Sequence, residues 1–332
     1  MAIEVDARAA GFEAKKLARI GEHLSERYVE PGKIAGCQVL VSRHGIPAYF
    51  ESYGLMDRER NKPMQDDTLF RIYSMSKPIT SVALMMLWEE GRFQLSDPVH
   101  RYIPSWRNQS VWQEGEGSSM VTRRPKTPPT MQHILSHTAG LTYGGLLPGL
   151  ESPVDAVYQQ MGVARGDGET LLDFAEKLGR VPLMYEPGSK WCYSLATDVC
   201  GALVEIISGQ PFEQFLQERL FAPLGMRDTG FRVSDEQLDR FAACYVRGPD
   251  KRLLLEDDPE TSHYRHKRNF FSGGGGLVGT TADYMAFCEM LRQGGCYQGT
   301  QILGRRTLEL MTANHLLQGQ CLAQMAVGAF SE

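Results

Sequence analysis

Ser74-Met75-Ser76-Lys77-Pro78 opens the apolar run Ile79-Thr80-Ser81-Val82-Ala83-Leu84-Met85-Met86-Leu87-Trp88, and Gly91 follows as a stop signal. A helix that is apolar on every face has to be buried in a large core, and glycine is a common C-terminal end. Residues three apart on a helix share a face, so Ser74 and Lys77 bring a hydroxyl and an amine within reach of each other. A serine hydroxyl is a weak nucleophile at neutral pH and needs a base beside it. The pair therefore has the makings of a Ser–Lys acyl-transfer site, with the nucleophile at a helix N-terminus that favours developing negative charge. The chain has ten lysines, yet Ser74/Lys77 is its single Ser-x-x-Lys.

The elements around this helix are mixed. Residues 14–27 carry Leu17, Ile20 and Leu24 at helical spacing. Two strand-like runs, 37–42 and 46–53, flank the turn Arg43-His44-Gly45 and predict a hairpin. Residues 96–129 are rich in Pro, Trp, Gly and charge and read as irregular structure of the kind in which pockets are built. Short helices are expected from Thr130 to about Gly140, over 170–178, over 197–208 before Gly209, over 212–220, over 282–292 and from Thr307. Gly273 to Gly276 form a glycine run, and no internal repeat is visible.

Composition bounds the function. A 332-residue chain with 42% hydrophobic and 23% charged residues is globular, with room for one large domain or two intimate ones. A net charge of −5 with mixed signs argues against nucleic acid as a partner, and Arg123-Arg124 and the basic run 263–268 read as solvated loops. No basic segment and apolar core mark a secretory signal, and no run approaches the ~18 apolar residues of a membrane span. The seven cysteines are scattered without a Cys-x-x-Cys, which points to reduced thiols and a cytoplasmic protein. Competing chemistries lack their motifs. There is no Gly-x-Ser-x-Gly elbow, His133 and His137 are four apart without the Glu of a zinc protease, and no Gly-Lys-Ser/Thr follows Gly276. Both histidines read as structural, and no metal or cofactor is expected.

The chain resembles the serine β-lactamase and penicillin-binding-protein superfamily, and most of all its class C-like esterase branch, the family VIII carboxylesterases. Six phrases in order carry the resemblance: Phe70-Arg71-Ile72-Tyr73-Ser74-Met75-Ser76-Lys77-Pro78; Leu95-Ser96-Asp97-Pro98-Val99; Ile134-Leu135-Ser136-His137-Thr138-Ala139-Gly140-Leu141; Glu186-Pro187-Gly188-Ser189-Lys190-Trp191-Cys192-Tyr193-Ser194; Pro223-Leu224-Gly225-Met226; and Gly273-Gly274-Gly275-Gly276-Leu277. The resemblance implies an α+β, β-lactamase/transpeptidase-like fold, with an antiparallel sheet flanked by helices plus a mostly helical region. The expected division is an α/β part, 1–95 with 270–332, and a mostly helical part, 96–269.

By the same resemblance Ser74 is the acylated nucleophile, Lys77 its partner, and Tyr193 the proton acceptor and donor. Class C enzymes show Tyr-x-Asn where this chain has Tyr193-Ser194-Leu195, and the loss of a polar group that would hold an amide weighs toward esters. A lysine ordinarily titrates at about 10.4 and a tyrosine at about 10, so a base for pH 7 needs one of them lowered by about 3 units, roughly 4 kcal/mol. Which of the two carries the charge is left open by the sequence.

The superfamily's third motif, Lys-Thr-Gly or a His-Gly-Gly or Trp-Gly-Gly equivalent, is not found after Gly276. The chain stops at Phe330-Ser331-Glu332, so the C-terminal strands are expected to be missing, leaving the hairpin edge open, the chain prone to aggregate and the oxyanion hole short of a donor. The expected function is a serine carboxylesterase that cleaves small carboxylic esters through a Ser74 acyl-enzyme. A β-lactamase or D-amino-acid peptidase using the same residues, and a catalytically inactive binding or assembly protein, stand as alternatives.

Overall fold

The hairpin forms in the computed structural model, which describes residues 3–146, 151–163 and 168–327. The chain end at Phe330-Ser331-Glu332 lies outside the described residues. Strand Gly36–Arg43 pairs antiparallel with Ile46–Asp57, and Arg43 faces Ile46 across a two-residue turn. His44 and Gly45 both take left-handed φ, 56° and 83°, as a turn matched to the strand twist requires. Lys62–Pro63 adds a short third strand. Helix Ala14–Leu24 covers one face, where Leu17, Ala48 and Tyr49 are buried with Val39 and Val41 packed against them. The helix comes so close at Gly21 that a Cβ there would lie 2.0 Å from the Tyr53 hydroxyl.

The chain divides into two compact units. The first takes residues 1–72, 221–267 and 277–293, and the second 73–220, 268–276 and 294–332. Within the first, Phe70–Arg71 pairs antiparallel with Val278–Gly279, and Leu69, Val233, Phe241, Tyr264 and Val278 form a core. Arg71 is buried there. Its guanidinium donates to Asp257 at 2.6 Å, to the Ala242 carbonyl and to Ser262, and it lies 3.9 Å from the centre of the Phe241 ring.

The second unit is mostly helical. Helix Ser76–Glu89 has Ile79, Val82, Ala83, Leu84 and Leu87 at 1% exposure or less, which is the burial its all-round apolar sequence calls for. It packs against Ala196–Ser208, itself buried from Ala196 to Val204 and stopped by left-handed Gly209. The sequence draws its boundary after residue 95 and so groups the Ser74 helix with the hairpin. In the structure this helix belongs with the helical unit, because that unit supplies the apolar neighbours its faces need. The Glu89 carboxylate accepts the Gly304 N–H at 2.8 Å and the Thr307 hydroxyl, which ties the start of helix Arg305–Met311 to the end of Ser76–Glu89.

Some local expectations shift. The helix expected from Thr130 is only Met131–Leu135, capped by Thr130. The irregular 96–129 stretch contains a small hairpin, Val111–Glu114 with Val121–Arg123. No helix among the described residues is long and apolar enough to cross a membrane.

Removing one partner of a buried ion pair strands the other charge. Arg71→Ala is expected to cost about 3 kcal/mol, and Arg71→Lys less, because lysine keeps the charge but not the fork. Urea denaturation of the three proteins checks this, and a loss below about 1 kcal/mol for Arg71→Ala would contradict the buried network.

Candidate active site

Ser74 does not sit on the α-helix proper. It lies in a 3₁₀ turn, Tyr73–Met75, that feeds directly into helix Ser76–Glu89. Tyr73 takes φ 42°, a left-handed conformation uncommon for a side chain of this size and typical of residues held in place at functional sites. The turn leaves Ser74 exposed while Ser76 and Lys77, one step on, are buried.

Lys77 Nζ donates to Ser74 Oγ at 3.0 Å, to the Gly274 carbonyl at 2.6 Å and to the Tyr143 hydroxyl at 3.4 Å. An ammonium has three protons, and each has an acceptor here. The Tyr193 hydroxyl lies 2.7 Å from the same Ser74 Oγ. Lys77 Nζ also stands 4.6 Å from the centre of the Tyr193 ring. The three candidate residues of the sequence therefore meet at one oxygen, with Tyr193 brought in from 119 positions along the chain.

Backbone bonds explain how Tyr193 gets there. Trp191 N–H donates to the Met325 carbonyl, Cys192 N–H to His137 and Leu195 N–H to Thr142. The Tyr193 ring stacks on Tyr143, with centroids 5.3 Å apart at 12°, and meets His137 at 5.3 Å and Trp191 at 6.2 Å. Trp191 also lines a cavity of about 330 Å³ whose walls include Met85, Leu95, Leu135, Leu310 and Leu316.

The electrostatics are uneven. Burial opposes ionisation of Tyr193, but its hydrogen bonds with Lys77 and Ser74 and the lysine's charge outweigh it and hold the phenol below its ordinary range. His137 sits in the left-handed region at φ 55°. Its Nδ1 lies 3.1 Å from Ser194 Oγ and its Nε2 3.4 Å from Thr197 Oγ1. Burial and then the charge of Lys77 push it down to about 3. His137 thus belongs to the site as a neutral ring packed on Tyr193. His133, by contrast, serves the capping of its own helix through the Thr130 N–H. Among the described residues no group of three His, Cys, Asp or Glu is placed to hold a metal ion.

Tyr143, the Gly274 carbonyl and Asp198 are neighbours that sequence reasoning missed. Tyr143 has no helical spacing to Ser74. The glycine run 273–276 is visible as a motif, but its use as a hydrogen-bond acceptor is not. Leu195, in the place where class C enzymes keep an Asn, is fully buried at the N-cap of Ala196–Ser208 and gives the site no polar atom from its side chain.

A family profile described as Beta-lactamase matches residues 22–331. Esterase EstB of Burkholderia gladioli is 34% identical over 310 residues, covering 88% of this chain and 74% of that protein. Protein Rv1367c of Mycobacterium tuberculosis is 33% identical, over 90% of this chain and 73% of its own. Among solved structures, EstCE1, described as a hydrolase with promiscuous acyltransferase activity, superposes with a TM-score of 0.74 at 32% identity over 90% of this chain and 77% of that one. The simvastatin synthase LovD of Aspergillus terreus gives 0.72 at 26% identity, over 94% of this chain and 75% of that one.

The neutral His137 has a thermodynamic consequence. An unfolded histidine takes up a proton near pH 6.5, whereas this one does so only near 3, so the unfolded chain binds the extra proton between those values. Stability is then complete above about pH 6.5 and falls as the pH drops toward 3. The imidazole keeps part of its surface open, which weakens the effect of burial and reduces the expected loss at pH 4.5 to about 1–2 kcal/mol. Asn tolerates the left-handed backbone, so His137→Asn should be flatter over this range. Urea melts at pH 7 and 4.5 test it, and equal slopes for the two proteins would remove His137 as the cause.

Proposed function

The chain belongs to the β-lactamase family, and from that premise we propose that it is a serine hydrolase that cleaves small carboxylic esters through an acyl-enzyme on Ser74. The observation that carries this reading is the position of Ser74 Oγ, 3.0 Å from the Lys77 ammonium and 2.7 Å from the Tyr193 hydroxyl. The relatives named esterase and hydrolase support ester bonds as the target.

Tyr193 acts as the base in this reading. Its phenol is the group held below its ordinary value, and Lys77 beside it is the cation that does so. The Ser74 proton passes to the Tyr193 oxygen as Oγ attacks the ester carbonyl carbon. The same proton then goes to the departing alkoxide when the C–O bond breaks, leaving Ser74 acylated. A water molecule then gives a proton to Tyr193 as its oxygen attacks the acyl carbonyl carbon, and Tyr193 passes that proton to Ser74 Oγ as the C–Oγ bond breaks, which releases the carboxylic acid and free Ser74. Lys77 donates to Ser74 Oγ and lies under the Tyr193 ring, so it touches both groups between which the proton passes. The buried Leu195 side chain puts no amide-holding group beside Tyr193, which favours esters over β-lactams.

Ser74→Ala is expected to lower kcat on p-nitrophenyl butyrate at least about 1,000-fold with the fold intact. Activity within tenfold of the parent would overturn the nucleophile assignment. Lys77→Ala and Tyr193→Phe should each disable acylation, and the double variant should be little worse than either, as for groups that act together. Strictly multiplicative losses would mean that one of them only supports the fold. Nitrocefin should be turned over far more slowly than the ester, and the reverse order would favour a β-lactamase.

A further inference from the structure

We propose that Asp198 is a positioning residue for Lys77, acting through the glycine turn 272–274, an inference that rests on the Ser74 acyl-enzyme reading. Asp198 is fully buried in the first turn of helix Ala196–Ser208, where the helix dipole favours a carboxylate. Its Oδ1 accepts the Ser272 hydroxyl at 2.6 Å and the Gly274 N–H at 3.0 Å. The carbonyl of that same Gly274 accepts Lys77 Nζ at 2.6 Å. The carboxylate thus grips the residue whose other end grips the ammonium.

The turn has little freedom to settle elsewhere. The Thr80 hydroxyl, from the Lys77 helix, donates to the Gly273 carbonyl at 2.8 Å. A Cβ on Gly273 would lie 2.7 Å from the Thr197 carbonyl oxygen and 2.9 Å from Thr80 Cγ2. Only a glycine fits between the two helices at this point, and it fits with its carbonyl held from one helix and its neighbours' donors from the other. An ammonium on a four-carbon stem is a mobile point charge. The Gly274 carbonyl is the shortest of the three contacts that hold it beside Ser74 Oγ and under the Tyr193 ring.

The consequence is specific. If the turn relaxes, Lys77 moves away from Tyr193, the phenol loses the cation that depresses it, and the pH at which acylation switches on rises. A purely structural role would reduce the fraction of active enzyme equally at every pH and leave that profile where it was.

The test follows Ser74 labelling by a fluorophosphonate and kcat/KM on p-nitrophenyl butyrate from pH 6 to 10, in the parent, Asp198→Asn and Ser272→Ala. Asp198→Asn keeps the shape and removes the charge. It is expected to slow labelling about tenfold to a hundredfold, the cost of an ångström-scale misplacement, with KM within about twofold and the alkaline rise moved up by about one pH unit. Ser272→Ala, which deletes one of the two contacts, should move the rise in the same direction by less. Should Asp198→Asn fail to fold, Ser272→Ala decides alone. A rise that stays at the parent's pH in the folded variants overturns the inference and leaves the Ser74 reading intact. A parent enzyme that takes no label at Ser74 overturns both.

Discussion

The Lys77 ammonium is buried, and a buried charge without partners is far costlier than any single packing defect. Here it is satisfied by one carbonyl and two hydroxyls, from Gly274, Ser74 and Tyr143, and it lies under the face of the Tyr193 ring. Each of those partners comes from a different stretch of chain. Meeting the needs of one cation therefore draws together the 3₁₀ turn at Ser74, the loop at Tyr143, the segment at Tyr193 and the glycine turn at 273–276. The same cation lowers the phenol of Tyr193 and adds to the burial that keeps the imidazole of His137 neutral. Stability and chemistry draw on one set of contacts, so a change to the lysine would be felt in both.

A fixed scaffold is what allows such distances to hold. Helix Ser76–Glu89 is buried from Val82 to Leu87, and its packing against Ala196–Ser208 leaves no room for it to rotate without opening the core. The Lys77 backbone is set by the first helix and Asp198 by the second, with Gly273 wedged between them. Tyr193 is just ahead of the second helix, tied by backbone bonds to His137 and Thr142 through its neighbours. Reacting groups held by rigid elements keep a near-attack arrangement without having to order on each turnover.

The first unit uses a charge in another way. Arg71, three residues before Ser74, is locked in a fork of acceptors and against an aromatic face. This pins the strand Phe70–Arg71 within its own unit. A left-handed tyrosine costs about 1–3 kcal/mol and persists only where the chain on both sides is held. The buried Ser76–Lys77 step holds it on the C-terminal side.

By itself the sequence determined most of the elements and the candidate groups for the chemistry. A run apolar on all faces reads as a buried helix, two strand-like runs around Arg43-His44-Gly45 read as a hairpin, and a lone Ser-x-x-Lys at a helix start puts hydroxyl beside amine. Ordered family phrases singled out Tyr193 as well. These signals are legible because they depend on periods and spacings within one short segment. What tertiary structure decided was everything that depends on contacts between distant segments: that Ser74 sits in a 3₁₀ turn ahead of the helix, that its helix belongs with the helical unit, that Tyr143 and His137 wall the site, and that the glycine run serves Lys77 through a carbonyl. A backbone carbonyl has no letter in the sequence, and a stacked tyrosine reads like any core tyrosine until its neighbours are known. Which of two coupled groups gives up its proton is likewise a matter of burial and of charges brought near in space, and these exist only once the chain has folded.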